Sequence, residues 1–235
     1  MLPGEAGRIA RARRDDALGP RLVARTPRQR DLVRVVAASG VSDERVLDAL
    51  ARVPRAGFVP EEMAERAYVD EPVPIPRGQV TTQPSLVARM VAALELGGSE
   101  RVLEVGTGYG FQTALLAELS AEVWSVERFP DLADTARRNL AHHGAHDVEV
   151  IVGDGTRGLP DRAPFDAIVV AAAHPVVPAP LAEQLSPGGR LVHPVGRGGR
   201  EDVARFDYGE KGLVRRQTIV GAHFVRLVGE HGFDR

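Results

Sequence analysis

Hydrophobic positions along the chain change their spacing several times, and each change marks an element. Leu32, Val35 and Val36 recur at helical spacing after Thr26-Pro27, an N-cap followed by proline at the first helical position, and Ser39-Gly40 stops the run. Val46, Leu47 and Leu50 repeat that spacing between Ser42, read as the next N-cap, and Pro54. These two helices are expected to form a lid or side layer ahead of the main sheet, with Phe58 and Met63 as its anchors to the core. From Tyr68 to Pro84 the pattern breaks. Pro72, Pro74 and Pro76 stand at alternate positions, fix φ and exclude a helix. This rigid connector ends in the hydroxyls of Thr81 and Thr82. A helix follows, with Thr82 or Gln83 as N-cap, Pro84 as its first residue, and a stripe of Leu86, Val87, Met90, Val91 and Leu94.

Beyond residue 100 short apolar runs alternate with helical segments. Strands are expected at Arg101 to Val105, Glu122 to Val126, Val148 to Val152, Phe165 to Val170 and Arg190 to Val195, the last entered through a Ser186-Pro-Gly-Gly189 turn. Helices are expected from near Phe111 to Leu119 and from Pro130 to His142. Such alternation predicts an α/β fold with a doubly wound, mostly parallel sheet, whose ligands lie beyond the carboxyl ends of the strands. The tail changes character. Asp202 to Tyr208 and Leu213 to Val220 read as a hairpin around Gly209-Glu-Lys-Gly212, with Ala222 to Val228 as one more antiparallel strand. Residues 1–25, rich in Arg, Gly and Pro, read as a poorly ordered arm. Residues 26–235 read as a single domain, in which 26–84 form a helical and extended N-terminal layer.

The candidate chemistry sits at the strand ends. Arg101-Val-Leu-Glu-Val-Gly-Thr-Gly-Tyr-Gly110 is a strand running into a glycine-rich turn and a helix start. Glycines permit close approach of backbone to a ligand, and the helix start offers unpaired N–H groups. The spacing is one residue shorter than the dinucleotide fingerprint G-x-G-x-x-G. Three acids stand in order, each at a strand end, the first of them two residues before Gly106. Glu104 can balance an amino group, Glu127 can bind ribose hydroxyls, and Asp154 of Gly153-Asp-Gly155 can accept from an adenine amine. Amine, ribose and adenine without an obligatory phosphate describe S-adenosylmethionine better than a nicotinamide dinucleotide.

Composition narrows the field only slightly. The chain has 235 residues with 26% charged and 43% hydrophobic, and a net charge of -2 gives no general pull toward nucleic acid or anionic membrane. Lys211 is the only lysine, and there are no cysteines, which excludes disulfides and thiolate metal sites. No apolar run approaches a membrane span of roughly 18 residues, and the arginines at 8, 11, 13 and 14 lack the apolar core of a secretory signal. The expectation is a cytoplasmic protein. His142, His143 and His146 join a helix to a strand with no acid placed as in H-E-x-x-H, so no metal is expected. His174 and His223 stand either near the mouth of the site or as core or surface histidines.

Taken together, the chain resembles the protein-L-isoaspartate O-methyltransferase family from about Arg28 to Val228. The resemblance rests on Val53-Pro-Arg-x-x-Phe58, Pro74-Ile-x-x-Gly-Gln79 with Gln83-Pro84, Leu103-Glu-Val-Gly-Thr-Gly-Tyr-Gly110 with Gln112-Thr113, Ser125-Val-Glu127, Gly153-Asp-Gly155, Ala163-Pro-Phe-Asp-Ala-Ile168 and Phe224-Val225. It implies a Rossmann-like class I methyltransferase fold. It also implies transfer of a methyl group from S-adenosyl-L-methionine to the α-carboxylate of isoaspartyl residues, as a protein repair reaction through methyl ester and succinimide. By the same resemblance, Gln83, Glu104, Gly106, Thr107, Gly108, Tyr109, Gly110, Gln112, Glu127, Arg128, Asp154 and Gly155 would bind the cofactor. Val80, Thr81, His174, His223 and Phe224 would meet the peptide, and Thr82 would be the catalytic residue, standing where the family pattern has serine. Pro76, His174 and Arg226 also depart from that pattern. The implied partner is a protein or peptide bearing isoaspartate or aspartate, with no nucleic acid, no membrane and a monomer favoured. Two other readings stand beside repair: esterification of aspartate in one dedicated ribosomal natural-product peptide to form aspartimide, and a non-catalytic adaptor that only binds S-adenosylmethionine.

Overall fold

Helices α1 (Pro27–Ala38) and α2 (Glu44–Arg52) open the computed structural model, which describes residues 27–234. The expected N-terminal arm lies outside those residues. The cap of α2 is Asp43 rather than Ser42. Its carboxylate accepts from the N–H groups of Arg45 and Val46 at 2.9 and 3.3 Å, and a charged acceptor suits the positive end of a helix better than a hydroxyl does. Phe58, in a short turn at Arg55–Phe58, is buried in the main core with α1 and α2. Met63 instead packs on a small satellite cluster around Val59, Ala67 and Val73.

The proline-broken connector folds into a hairpin of β1 (Val73–Ile75) and β2 (Gln79–Thr81) around Pro76–Gly78. Arg77 in that turn has φ of 65°, a left-handed conformation that costs a non-glycine residue about 1 kcal/mol. Its guanidinium lies 3.1 Å from Asp131. One group gathers the chain on both sides of the hairpin. Arg55, fully buried, donates to the carbonyls of Ala67, Val69, Glu71, Thr81 and Thr82 at 2.8 to 3.3 Å. Helix α3 (Pro84–Ala92) follows with Gln83 at its N-cap. The Gln83 side chain bonds no helix N–H. Asp70 accepts from Ser85 N–H at 2.8 Å and does the capping instead.

Strands β3 (Arg101–Val105), β4 (Glu122–Glu127) and β5 (Val148–Val152) alternate with α4 (Phe111–Leu119) and α5 (Pro130–His143). They are followed by β6 (Phe165–Val170), α6 (Ala179–Glu183), β7 (Leu185–Val195), β8 (Glu201–Gly209) and β9 (Gly212–Ala222). The seven-stranded sheet has the order β5-β4-β3-β6-β7-β8-β9, with β3 to β7 parallel and β8 and β9 antiparallel. The chain leaves β3 toward β4 and β5, then returns to β6 on the other side, so the carboxyl end of β3 is the switch point where such sheets bind ligands. Alternate residues divide two cores. Val102, Val123, Ala167, Val169 and Val192 face helices α1 to α5. Leu103, Trp124, Ile168, Val170 and Leu191 face α6 and the C-terminal segment.

Two further expectations change in detail. Ser186 to Gly189 lies inside β7 as an irregular stretch: Phe165 pairs Leu185 and Ala167 pairs Arg190, so the extra residues bulge without ending the strand. Residues 223–228 form no strand on the sheet edge. Glu201 accepts from Phe224 N–H at 3.0 Å and turns the chain inward. The segment then crosses the carboxyl ends of the strands and brackets Ala173 with bonds from Ala173 N–H to Val225 and from Leu227 N–H to Ala173, each 2.8 Å. At the far end of the sheet the β8–β9 turn carries Lys211. Eight residue steps along β8 put it about 27 Å from the rim.

Replacing Arg55 with leucine takes a donor from five carbonyls, those of the buried Ala67 and Thr81 among them. Unfolding in urea is expected to show a loss of about 3 kcal/mol or more, with Arg55→Lys recovering part of it. A loss under about 1 kcal/mol for Arg55→Leu would remove the guanidinium from this role.

Candidate active site

A cavity of about 260 Å³ opens at the switch point. Its floor is the turn after β3. Gly106 there has φ of 97°, and a Cβ on it would stand 3.3 Å from the Ala171 Cβ at the end of β6. Glycine is needed on both counts. Thr107, Gly108, Tyr109 and Gln112 continue the wall from the turn into α4, and Glu127, Arg128 and Gly155 close the side beyond β4 and β5. Gly155 is held against Val105, where a Cβ would come within 2.4 Å. The opposite wall is made by Val80, Thr81 and Thr82 from the hairpin and by His223 and Phe224 from the crossing segment.

The acids have separate surroundings. Glu127 accepts from Gly108 N–H at 2.9 Å on one oxygen and from Phe129 N–H at 3.0 Å on the other. Burial pushes its carboxyl up, and the backbone N–H groups oppose that without cancelling it. A carboxylate oxygen accepts more than one hydrogen bond, so Glu127 keeps capacity for the hydroxyls of a ligand in the cavity. Glu104 lies on the helix-facing side of β3, fully buried, and does not line the cavity. It accepts from Thr113 at 2.5 Å, Ser125 at 2.6 Å and Gln112 at 3.0 Å. Ser125 spends its one proton on Glu104, so Thr107 must donate the 2.5 Å bond between the two hydroxyls. Glu104 therefore holds the glycine turn in place through side chains of β4 and α4. Burial pushes its carboxyl up to about 7 against those three donors.

Asp154 does not line this cavity. It borders a neighbouring hollow shared with Arg128 and Val228. Its oxygens accept from Thr156 N–H at 2.9 Å, Thr156 Oγ1 at 2.7 Å and Glu230 N–H at 2.8 Å, which tie the C-terminal segment to the end of β5. Gln83, Gly110 and His174 also stand off the cavity. Gln83 donates to Asp70 and Ser85, Gly110 begins α4 against Leu140, and the His174 ring meets Phe233 edge-on at 5.0 Å.

The two threonines differ. Thr81 is buried and donates to the Phe58 carbonyl at 3.1 Å. Thr82 lines the cavity, and its hydroxyl makes no hydrogen bond among the described residues. With Asp70 capping α3, the Thr82 hydroxyl is left available to a ligand. Arg55 fixes the Thr82 main chain through its carbonyl. Sequence reasoning had Arg55 within a motif but gave no role to it or to Asp70, whose partners are set by tertiary contact. It also missed Ala171, Ala172 and Leu227 on the cavity wall, which carry no chemical signal of their own. Among the described residues no group of three or more His, Asp or Glu side chains is placed to hold a metal, and no helix is long and apolar enough to cross a membrane.

These residues fit a nucleoside with a polar tail: a backbone cradle a Cβ would fill, a carboxylate with spare acceptor capacity, and an apolar rim of Val105, Val126 and Leu227. Comparison with known proteins points the same way. A family model described as Protein-L-isoaspartate(D-aspartate) O-methyltransferase matches residues 27–232. The chain is 51% identical over 199 residues to a protein-L-isoaspartate O-methyltransferase of Methanoculleus marisnigri, covering 85% of this chain and 90% of that one. It is 50% identical over 196 residues to one of Myxococcus xanthus, covering 81% and 92%. A solved protein-L-isoaspartate O-methyltransferase superposes with a TM-score of 0.76 at 27% identity over 87% of this chain and 67% of that one. A Plasmodium falciparum structure in complex with S-adenosyl-L-homocysteine shares the fold, with a TM-score of 0.72 at 23% identity over 84% of this chain and 96% of that one.

A buried carboxyl whose pKa rises on folding stabilises the fold when protonated, and that contribution fades as pH climbs from the unfolded value of 4.5 to about 7. Glu104→Gln removes this titration. Thermal unfolding from pH 5 to 8.5 is therefore expected to fall more steeply for the native chain than for Glu104→Gln. Parallel curves would show that Glu104 does not titrate in that window.

Proposed function

We propose, from the premise that this chain belongs to the protein-L-isoaspartate(D-aspartate) O-methyltransferase family, that it esterifies the α-carboxylate of isoaspartyl residues in proteins, using S-adenosyl-L-methionine. The observation that carries the reading is the unbonded Thr82 hydroxyl on the wall of a cavity floored by the glycine turn. Gly106, Thr107, Gly108, Gln112 and Glu127 would hold the cofactor. When bound, it supplies an electrophilic methyl group on a sulfonium.

The rest is done by side chains of this chain. An α-carboxylate with a pKa near 3.5 is ionised at neutral pH, so no general base is required. Thr82 would donate to one carboxylate oxygen and orient the other toward the methyl group, while its own main chain is held by Arg55. The hairpin and residues 223–226 would exclude water, which favours a reaction in which opposite charges cancel. His223, Phe224 and Val80 are suited to contact the peptide at the cavity mouth. The same reading takes residues 26–235 as one methyltransferase unit, monomeric and cytoplasmic, acting on protein or peptide and not on nucleic acid or membrane.

Methyl transfer to a generic isoaspartyl peptide tests the activity. Thr82→Val is expected to lower kcat/KM for the peptide by roughly 10- to 100-fold, the value of one hydrogen bond to a charged group. Thr82→Ser should restore it, and the KM for S-adenosylmethionine should stay within about twofold. Full activity in Thr82→Val would strip the hydroxyl of its role, and no turnover on any isoaspartyl peptide would overturn the substrate assignment.

A further inference from the structure

Most arginines on this surface are neutralised. Arg205 sits between Glu95 and Asp207, Arg101 faces Glu122, and Arg215 faces Asp202. One edge of the cavity mouth is different. The loop 196–200, between β7 and β8, packs against residues 222–226. Arg226 lies over Gly198, with its guanidinium 3.7 Å from where a Cβ would stand. Arg200 reaches back over Gly221, His223 bonds the Gly199 carbonyl, and Arg197 projects from the same loop. All four side chains belong to exposed residues. Among the described residues none of the three arginines has an ion pair or a side-chain hydrogen bond, and Arg226 has only the Phe233 ring at 5.2 Å.

The carboxylate nearest in sequence is committed. Glu201 is fully buried and accepts from Gly198 and Phe224 N–H groups, so its oxygens are taken up in building the loop and form no ion pair with the three arginines. His223 and Arg226 border the cavity and continue directly into this patch. The chain as a whole carries a net charge of -2, so the patch is a local feature and not a reflection of overall basicity.

We propose that Arg197, Arg200 and Arg226 form a subsite for acidic side chains flanking the residue to be methylated, so that the preferred substrates are acidic peptide segments. The inference rests on the peptide methyltransferase reading and specifies its substrate class. Exposed ion pairs are individually weak, and several acting together are expected to give about a tenfold preference that salt erodes.

The test uses the whole chain and two labelled isoaspartyl peptides that differ only in flanks of three Glu or three Gln, with binding read by fluorescence anisotropy and methyl transfer followed in parallel. The Glu peptide is expected to bind about tenfold more tightly at low salt, with most of that advantage gone at about 0.5 M salt. Arg200→Gln with Arg226→Gln should bring the two peptides within about twofold, and Arg197→Gln, at an exposed position whose side chain bonds nothing among the described residues, should do so in part. Equal affinities, or no binding of either peptide, overturn the subsite. Binding of a single-stranded oligonucleotide in preference to the Glu peptide overturns it in favour of a nucleic-acid surface. Turnover without a Glu preference sinks the subsite alone, whereas a Glu preference in binding without turnover sinks the methyltransferase reading.

Discussion

The arrangement depends on a guanidinium that, among the described residues, has no carboxylate in contact. Arg55 is buried among main-chain carbonyls and rests over the Phe111 ring at 5.7 Å. Burial lowers its pKa to about 10, with the field of Asp70 opposing that, so it remains a cation at physiological pH. An isolated buried charge is costly, and carbonyl dipoles pointing at it are what make it tolerable. Those dipoles come from two stretches with no other shared ladder, residues 67–71 and residues 81–82. The cation thereby fixes where the connector ends relative to the first turn of α4. The wall bearing Thr82 and the helix that opens the cofactor turn are referred to the same buried side chain.

The two glutamates of the site divide labour by their depth along one face of the sheet. Both Glu104 and Glu127 lie on the side of the sheet that faces the helices, but Glu104 is in the middle of the packing and Glu127 at its edge. Position decides chemistry: the first has three side-chain donors and no route to the cavity, the second has two backbone donors and an open flank. The chain of hydroxyls from Thr107 through Ser125 to Glu104 runs in one direction only, because Glu104 donates nothing when ionised. That directionality orders the turn without rigid covalent restraint.

How much of this was legible depended on whether a signal was local. The strands from Arg101 to Val170 and the glycine turn could be read because short apolar runs and glycine spacing are written in consecutive residues. Asp43 and Ser42 could not be separated, since either can cap a helix and only the observed φ and ψ decide. Residues 223–228 have strand-like composition, yet Glu201, more than twenty residues earlier, turns them off the sheet edge and over the rim. Thr82 was legible as a hydroxyl before a helix, but its freedom from capping follows from Asp70, a partner twelve residues away that no spacing rule selects. Arg55 stood in a recognisable motif, while the five carbonyls it gathers are a property of the folded chain.

The solitary lysine has a practical consequence. Lys211 stands at the tip of the β8–β9 turn, on the end of the sheet away from the rim. Amine-directed coupling therefore finds one side-chain handle, with only the amino terminus as a competitor. Molecules immobilised or dye-tagged through that handle would all present their working face outward in one orientation, with no residue needing to be engineered.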